Sequence, residues 1–112
     1  MSKEEFTKMK IYNDKKYKEI WIDTADGQHM CALINSDKGI LMYMPDDEGN
    51  SFTSRNSNYS GDVNEEAEFL LDNGQLDYYP LSWCLPIEIV EQALEYFKQK
   101  NKLPSFITWH EG

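Results

Sequence analysis

Two histidines, two cysteines and twenty carboxylates are the side chains in this 112-residue chain best suited to catalysis or metal binding. His29 and Cys31 stand two residues apart in the apolar run His29-Met-Cys-Ala-Leu-Ile34, so a strand there turns both to one face. That spacing permits a Cys–His nucleophile pair, and equally a small core thiol beside a surface-leaning imidazole. His110 is far from both in sequence and no third ligand falls at metal spacing, so no metal and no cofactor is expected. Asp46-Asp47-Glu48-Gly49-Asn50 suggests calcium by composition but lacks the alternating ligands and closing Glu of a calcium loop. No phosphate-cradling glycine motif and no nucleophile elbow occurs. The acids of residues 62–77 are numerous enough to contain a glycosidase-like pair, but acids are so frequent there that a pair carries no signal. Catalysis is not indicated. A small enzyme using His29, Cys31 or paired carboxylates is the alternative.

The carboxylates matter more as a group. The formal net charge is −9 and the pI about 4.6. Residues 1–44 are neutral in sum, and residues 79–112 carry only −1. Residues 45–78 hold Asp46, Asp47, Glu48, Asp62, Glu65, Glu66, Glu68, Asp72 and Asp77 against the single base Arg55. Such a window keeps a protein soluble, and it also suits an electronegative face that steers a basic protein partner. Nucleic acid is excluded as a partner by the want of a cationic face. Tyr43, Tyr59, Tyr78, Tyr79 and Trp83 lie in or beside the same window, and tyrosine joins apolar area to a polar tip, as interface hot spots require. Tyr78 and Tyr79 are adjacent, so on a strand one turns to the core and the other to a partner.

Elements to position these residues are written in the apolar pattern. Tyr17–Thr24 alternates around Ile20 and Ile22 as a half-buried strand. Asp26-Gly27 marks a hairpin, His29–Ile34 a central strand, Ser36–Gly39 a turn, and Ile40–Met44 a third strand stopped by Pro45. Met9–Tyr12 suits a further strand, and Phe6 with Met9 equally suits a short helical turn. From Asp46 to about Asn64 the pattern vanishes into a long loop, of a kind that is often functional. Glu66–Asp72 resumes a strand, Asn73-Gly74 predicts a type I′ turn, and Gln75 to about Trp83 returns as its partner. Pro86 opens a helix at its first-turn position, with Ile87, Val90, Ala93, Leu94 and Phe97 as one apolar stripe. Glu88 and Glu91 near its start, and Lys98, Lys100 and Lys102 near its end, match the helix macrodipole. Ser105–Trp109, after Pro104, reads as a short closing strand. The fold class is therefore α+β: a single antiparallel sheet, meander plus hairpin, with one C-terminal helix packed on a face.

Residues 1–112 form one domain on this reading, with 40% apolar and 13% aromatic residues supplying a modest core despite a mean hydropathy of −0.69. The charged residues Lys3, Glu4, Glu5, Lys8 and Lys10 leave no apolar leader near the start, and no apolar run is long enough to span a bilayer. Two cysteines are too few for a disulfide framework. A cytoplasmic protein with reduced thiols and no membrane contact is expected.

The C-terminal third carries a resemblance. Leu85-Pro-Ile-Glu-Ile-Val-Glu-Gln-Ala-Leu-Glu-Tyr-Phe97, Leu103-Pro104 and Phe106-Ile-Thr-Trp109 resemble the end of the type 1 immunity-protein family of bacterial polymorphic toxin systems. Pro86, Ala93, Phe97, Pro104 and Trp109 occupy the positions of that family's helix, turn proline and closing tryptophan; its usual glycine before the proline is replaced by Asn101-Lys102. Upstream, the Asp26-Gly27 hairpin and Gly39–Met42 look like the family's early meander. The resemblance implies a cytoplasmic, stoichiometric antidote that binds a cognate toxin domain, often nuclease- or deaminase-like, whose active site is basic. It also implies that Phe97 and Trp109 pack helix against sheet. Asp46, Asp47, Glu48, Tyr59, Asp62, Glu65, Glu66, Asp77 and Tyr78 are then the candidate toxin-binding residues. A generic acidic protein-interaction domain is the remaining alternative.

Overall fold

Alternation of apolar and polar residues folds the first half into an antiparallel meander: β1 (Lys8–Asp14), β2 (Tyr17–Asp23), β3 (His29–Asn35) and β4 (Lys38–Met44). The computed structural model describes residues 8–46 and 48–111; Phe6 and Asp47 lie outside the described residues. Beyond β4 follow β5 (Phe52–Arg55), β6 (Glu66–Leu70), β7 (Leu76–Pro80), a single 3-10 turn (Leu81–Trp83), β8 (Leu85–Pro86), α1 (Ile87–Lys100) and β9 (Thr108–Glu111). The main sheet runs β1-β2-β3-β4-β5-β9, with β8 also pairing β4, and the β6–β7 hairpin is a second, two-stranded sheet. The class is α+β, as the pattern predicts, but the hairpin lies across the meander instead of extending it.

Each face of β3 has its own cover. Met30, Ala32 and Ile34 turn to one side with Ile22, Leu41 and Tyr43, and meet Val90, Ala93, Leu94 and Phe97 of α1. Cys31 and Leu33 turn to the other side with Ile40, and meet Ala67 and Phe69 of the hairpin. All of β3 after His29 is therefore buried, which explains a near-continuous apolar run in an antiparallel strand. Gly39 lies at a close approach of helix and sheet: a Cβ there would sit 2.9 Å from the Leu33 carbonyl oxygen and 3.4 Å from Val90. Tyr43 gathers the C-terminal aromatics, its ring centroid lying 5.9 Å from Phe97, 6.0 Å from Phe52 and 6.5 Å from Trp109. Phe97 is fully buried, whereas Trp109 is half-buried with its Nε1 donating to the Pro104 carbonyl at 2.9 Å.

Four expectations need correction. The stretch 46–64 is not loop throughout, because β5 sits inside the main sheet between β4 and β9. Its signal is hidden because its central inward residue is Ser54, fully buried, which accepts from the Leu41 N–H at 3.0 Å and donates to the Trp83 carbonyl at 2.9 Å. Asn73-Gly74 does not form a type I′ turn: only Gly74 takes a positive φ, and Leu71 pairs with Gln75 around a three-residue loop ending in that glycine. Asp26-Gly27 follows the same plan, and the two-residue turns are Lys15-Lys16 and Ser36-Asp37. Pro86 is the residue before the helix, its extended ψ of 148° ending β8, while the Ile87 N–H donates to the Asp37 carbonyl at 2.9 Å. The closing strand is Thr108–Glu111 and not Ser105–Trp109, since its register is set by pairing to β5. At the other helix end Asn101 takes the left-handed conformation (φ 54°) and donates its N–H to the Phe97 carbonyl, the one role in which asparagine replaces glycine readily.

Candidate functional site

Of the residues with catalytic chemistry, both cysteines are buried. His29 and Cys31 do share the hairpin-side face of β3, but Cys31 is 2% exposed within the cluster around Phe69. Burial, with a smaller contribution from the Glu19 carboxylate, pushes its thiol far above the ordinary range, and burial pushes Cys84 up to about 11. Neither is a thiolate near neutral pH, so neither is an activated nucleophile. His29 Nδ1 lies 2.7 Å from Asp23 Oδ1. Among the described residues no three His, Cys, Asp or Glu side chains gather as metal ligands. A surface cavity of about 360 Å³ between the 55–58 segment, the start of α1 and residues 106–108 is lined by no histidine, cysteine or carboxylate.

The candidate binding residues fall into three places. Asp46 and Glu48 sit in the β4–β5 connection, where the Glu48 N–H donates to Asp46 Oδ1 at 2.9 Å. Asp46 joins His29 and Met44 around one cleft and, with Asp26, pushes the already desolvated Tyr43 phenol up. Tyr59, Asp62 and Glu65 lie toward the other end of β4: Tyr59 shares a cleft with Asp37 and Lys38, and its hydroxyl donates to the Asp62 carbonyl at 2.7 Å. The length of β4, about 20 Å at roughly 3.3 Å per residue, separates the two groups. Glu66 and Tyr78 lie on the outer face of the hairpin, and Asp77 on its inner face opposite Phe69, where it accepts from Gln75 at 2.5 Å. Tyr78 is 56% exposed while Tyr79 packs on Phe69 and Trp83, the division expected of neighbours on a strand. The structure thus brings together Glu66 and Tyr78, and separately Tyr59, Asp62 and Glu65; it does not merge either group with Asp46 and Glu48.

Around the hairpin the structure adds residues outside this set. The Tyr17 hydroxyl donates to Glu68 Oε2 at 2.5 Å, and Glu68 is paired across the hairpin with Tyr78. Glu19 accepts from the Asp72 N–H at 2.9 Å and from Trp21 Nε1 at 2.6 Å, and the Asn35 amide donates to the Glu68 carbonyl at 2.9 Å. These bonds clamp the hairpin to β2 and β3. Desolvation, then Asp14, Asp72 and Glu19, push the Tyr12 phenol up; the Glu68 hydrogen bond, then desolvation, push the Tyr17 phenol up. Tyr12, Asp14, Tyr17, Glu68, Asp72 and Tyr78 thus form a tyrosine- and carboxylate-bearing surface beside the hairpin, with Lys10 on the Tyr12 face of β1 and the Lys16 ammonium 5.3 Å from the Tyr17 ring centroid. Counting charge along the chain hides it, because residues 1–44 sum to zero. The legible signal was alternation: Tyr12 and Asp14 on β1 and Tyr17 and Glu19 on β2 fall on one face of the paired strands.

No helix among the described residues is long and apolar enough to cross a membrane. Among curated proteins no sequence matches this chain. A family model described as immunity protein Imm1 matches residues 11–111, which runs from β1 through the closing strand β9. The C-terminal helix, its Asn101 cap and the Trp109 strand are thus part of a match that extends over nearly the whole described chain, and the protein belongs to the Imm1 immunity-protein family.

Proposed function

We propose that residues 1–112 act as one non-enzymatic, cytoplasmic immunity domain of a polymorphic toxin system, which binds a cognate toxin domain and occludes it. The observation that carries this reading is the carboxylate- and tyrosine-bearing outer face of the β6–β7 hairpin, with Glu66, Glu68 and Tyr78, in a chain of the Imm1 family. The toxin is proposed to be nuclease- or deaminase-like, because an active site that accepts a polyanion is basic and complements such a surface. Exposed Tyr78 supplies apolar contact area, and the surrounding carboxylates supply partner selection and association rate. Asp46, Asp47, Glu48, Tyr59, Asp62, Glu65, Glu66 and Asp77 are proposed to contribute to the same field from flanking positions.

The test is co-purification with the toxin domain encoded beside this gene, followed by protection of cells that express that toxin. A stoichiometric complex and full protection are expected. Absence of a complex between two well-folded partners would overturn the reading. A His29→Ala, Cys31→Ala double variant is expected to protect in proportion to its folded fraction; a folded variant without protection would instead revive catalysis.

A further inference from the structure

Arg55 is the one base among residues 45–78, and it is held in place without a carboxylate. Its guanidinium lies 4.0 Å over the Trp83 ring, and Nη1 donates to Thr53 Oγ1 at 2.7 Å and to the Ser54 carbonyl at 2.9 Å. No described carboxylate pairs with it, in a chain with twenty acids. Nε and Nη2 keep their N–H donors for another molecule, in the planar fork geometry that matches a carboxylate. Its platform is rigid. The Asn56 N–H donates to the Ser82 carbonyl at 2.8 Å, and Ser54 Oγ to the Trp83 carbonyl at 2.9 Å, fastening the 3-10 turn to β5. Strand register sets Met42, Thr53 and His110 in one row, and Arg55 and Thr108 in the next, with no acid in either row. The hairpin packs against β2 and β3 and reaches Met42, the 3-10 turn packs on β5, and Thr108 and His110 of β9 remain exposed beside Arg55.

We infer that the β5–β9 surface around Arg55, where Thr108 and His110 are exposed, is a second docking point, which receives an aspartate or glutamate side chain of the bound protein. The inference rests on the immunity reading and refines it: the toxin would present a basic surface to the hairpin and an acidic side chain to Arg55. Partial burial lowers the guanidinium's pKa from its ordinary value, which marks a cation already stripped of some water and so better able to bind a carboxylate.

The experiment measures association and dissociation rates of the neighbouring-gene toxin domain with wild type, Arg55→Met and Arg55→Lys. Methionine keeps an apolar stem over Trp83, and melting curves confirm that each variant is folded. Two pictures predict opposite signs. If only the acidic field matters, removing a positive charge strengthens binding to a basic toxin. If Arg55 holds a carboxylate, Arg55→Met weakens binding about thirty-fold or more, chiefly through faster dissociation, and Arg55→Lys recovers only part of the loss. Wild-type binding with an Arg55→Met variant that binds equally or more tightly would overturn this inference alone. No binding by wild type would overturn the immunity reading and this inference with it.

Discussion

At the scale of single residues, the thiols and the aromatics give the clearest expectations. Burial pushes the folded Cys84 thiol up to about 11, well above its ordinary value, and raises Cys31 further. A raised folded pKa means that the buried neutral thiol stabilises the fold fully below pH 9, and that this contribution is lost as pH rises through the folded value. The melting temperature of wild type, kept reduced, should therefore fall between pH 9 and pH 11, and a Cys31→Ala, Cys84→Ala variant should decline less steeply over the same range. Equal slopes would mean that the thiols do not titrate with folding. Phe97→Ala, a fully buried ring, should cost about 3–5 kcal/mol in urea melts, and the half-buried Trp109→Ala about 2 kcal/mol. The reverse order would place Trp109 nearer the centre of packing than Phe97. The helix's apolar stripe made Phe97 a packing residue and the resemblance added Trp109, but the difference in their burial depends on where β9 lies, which local pattern does not encode. The inert state of Cys31 was readable from its apolar neighbours; its cover by Phe69 required the hairpin to be placed.

Secondary-structure elements were legible where apolar periodicity is strong. The four meander strands and α1 follow directly from it. β5 was invisible because a serine, not an aliphatic side chain, is its buried residue. Ser54 sits where β4 changes partners, pairing with β8 at Lys38 and Gly39 and with β5 at Met42 and Tyr43, and its hydroxyl takes the Leu41 N–H left between the two ladders. Ser54→Ala would orphan that N–H and the Trp83 carbonyl, with an expected loss of about 2–6 kcal/mol at roughly one to three per unsatisfied buried group. Equilibrium unfolding checks this, and a loss under about 1 kcal/mol would mean that water or a shifted strand takes over both bonds. Both glycine-marked turns were correctly located and Asn73-Gly74 was wrongly typed, because Asn73, like Asp26, keeps an ordinary φ and leaves the positive φ to the following glycine. Turn type depends on how many residues the flanking ladders leave over, and ladders are set by tertiary pairing.

At the scale of the whole molecule, charge should act mainly on encounter. Steered association reaches about 10⁸ M⁻¹s⁻¹ at low salt, and the screening length falls to about 8 Å at physiological ionic strength. Association with the neighbouring-gene toxin should therefore slow as salt rises, with dissociation less affected. Neutralising Asp46, Asp47 and Glu48 to Asn, Asn and Gln should flatten that dependence, and neutralising Glu88, Glu91 and Glu95 on α1 should alter it much less. Stopped-flow measurements across a salt series check this; equal slopes for wild type and the loop variant would assign those three acids to solubility. The candidate site was only partly legible because its members come from distant segments: Tyr17 and Glu68 are 51 residues apart and meet through one hydrogen bond. The two-sided burial of β3 has a consequence for how such a protein diversifies. The hairpin and the helix touch opposite faces of the sheet, so a substitution that reshapes Glu66, Glu68 or Tyr78 need not disturb the packing of Val90, Ala93 or Phe97. If the hairpin carries the proposed toxin contacts, a lineage can drift through new specificities on one layer while purifying selection holds the other, and arms-race change need not erode foldability.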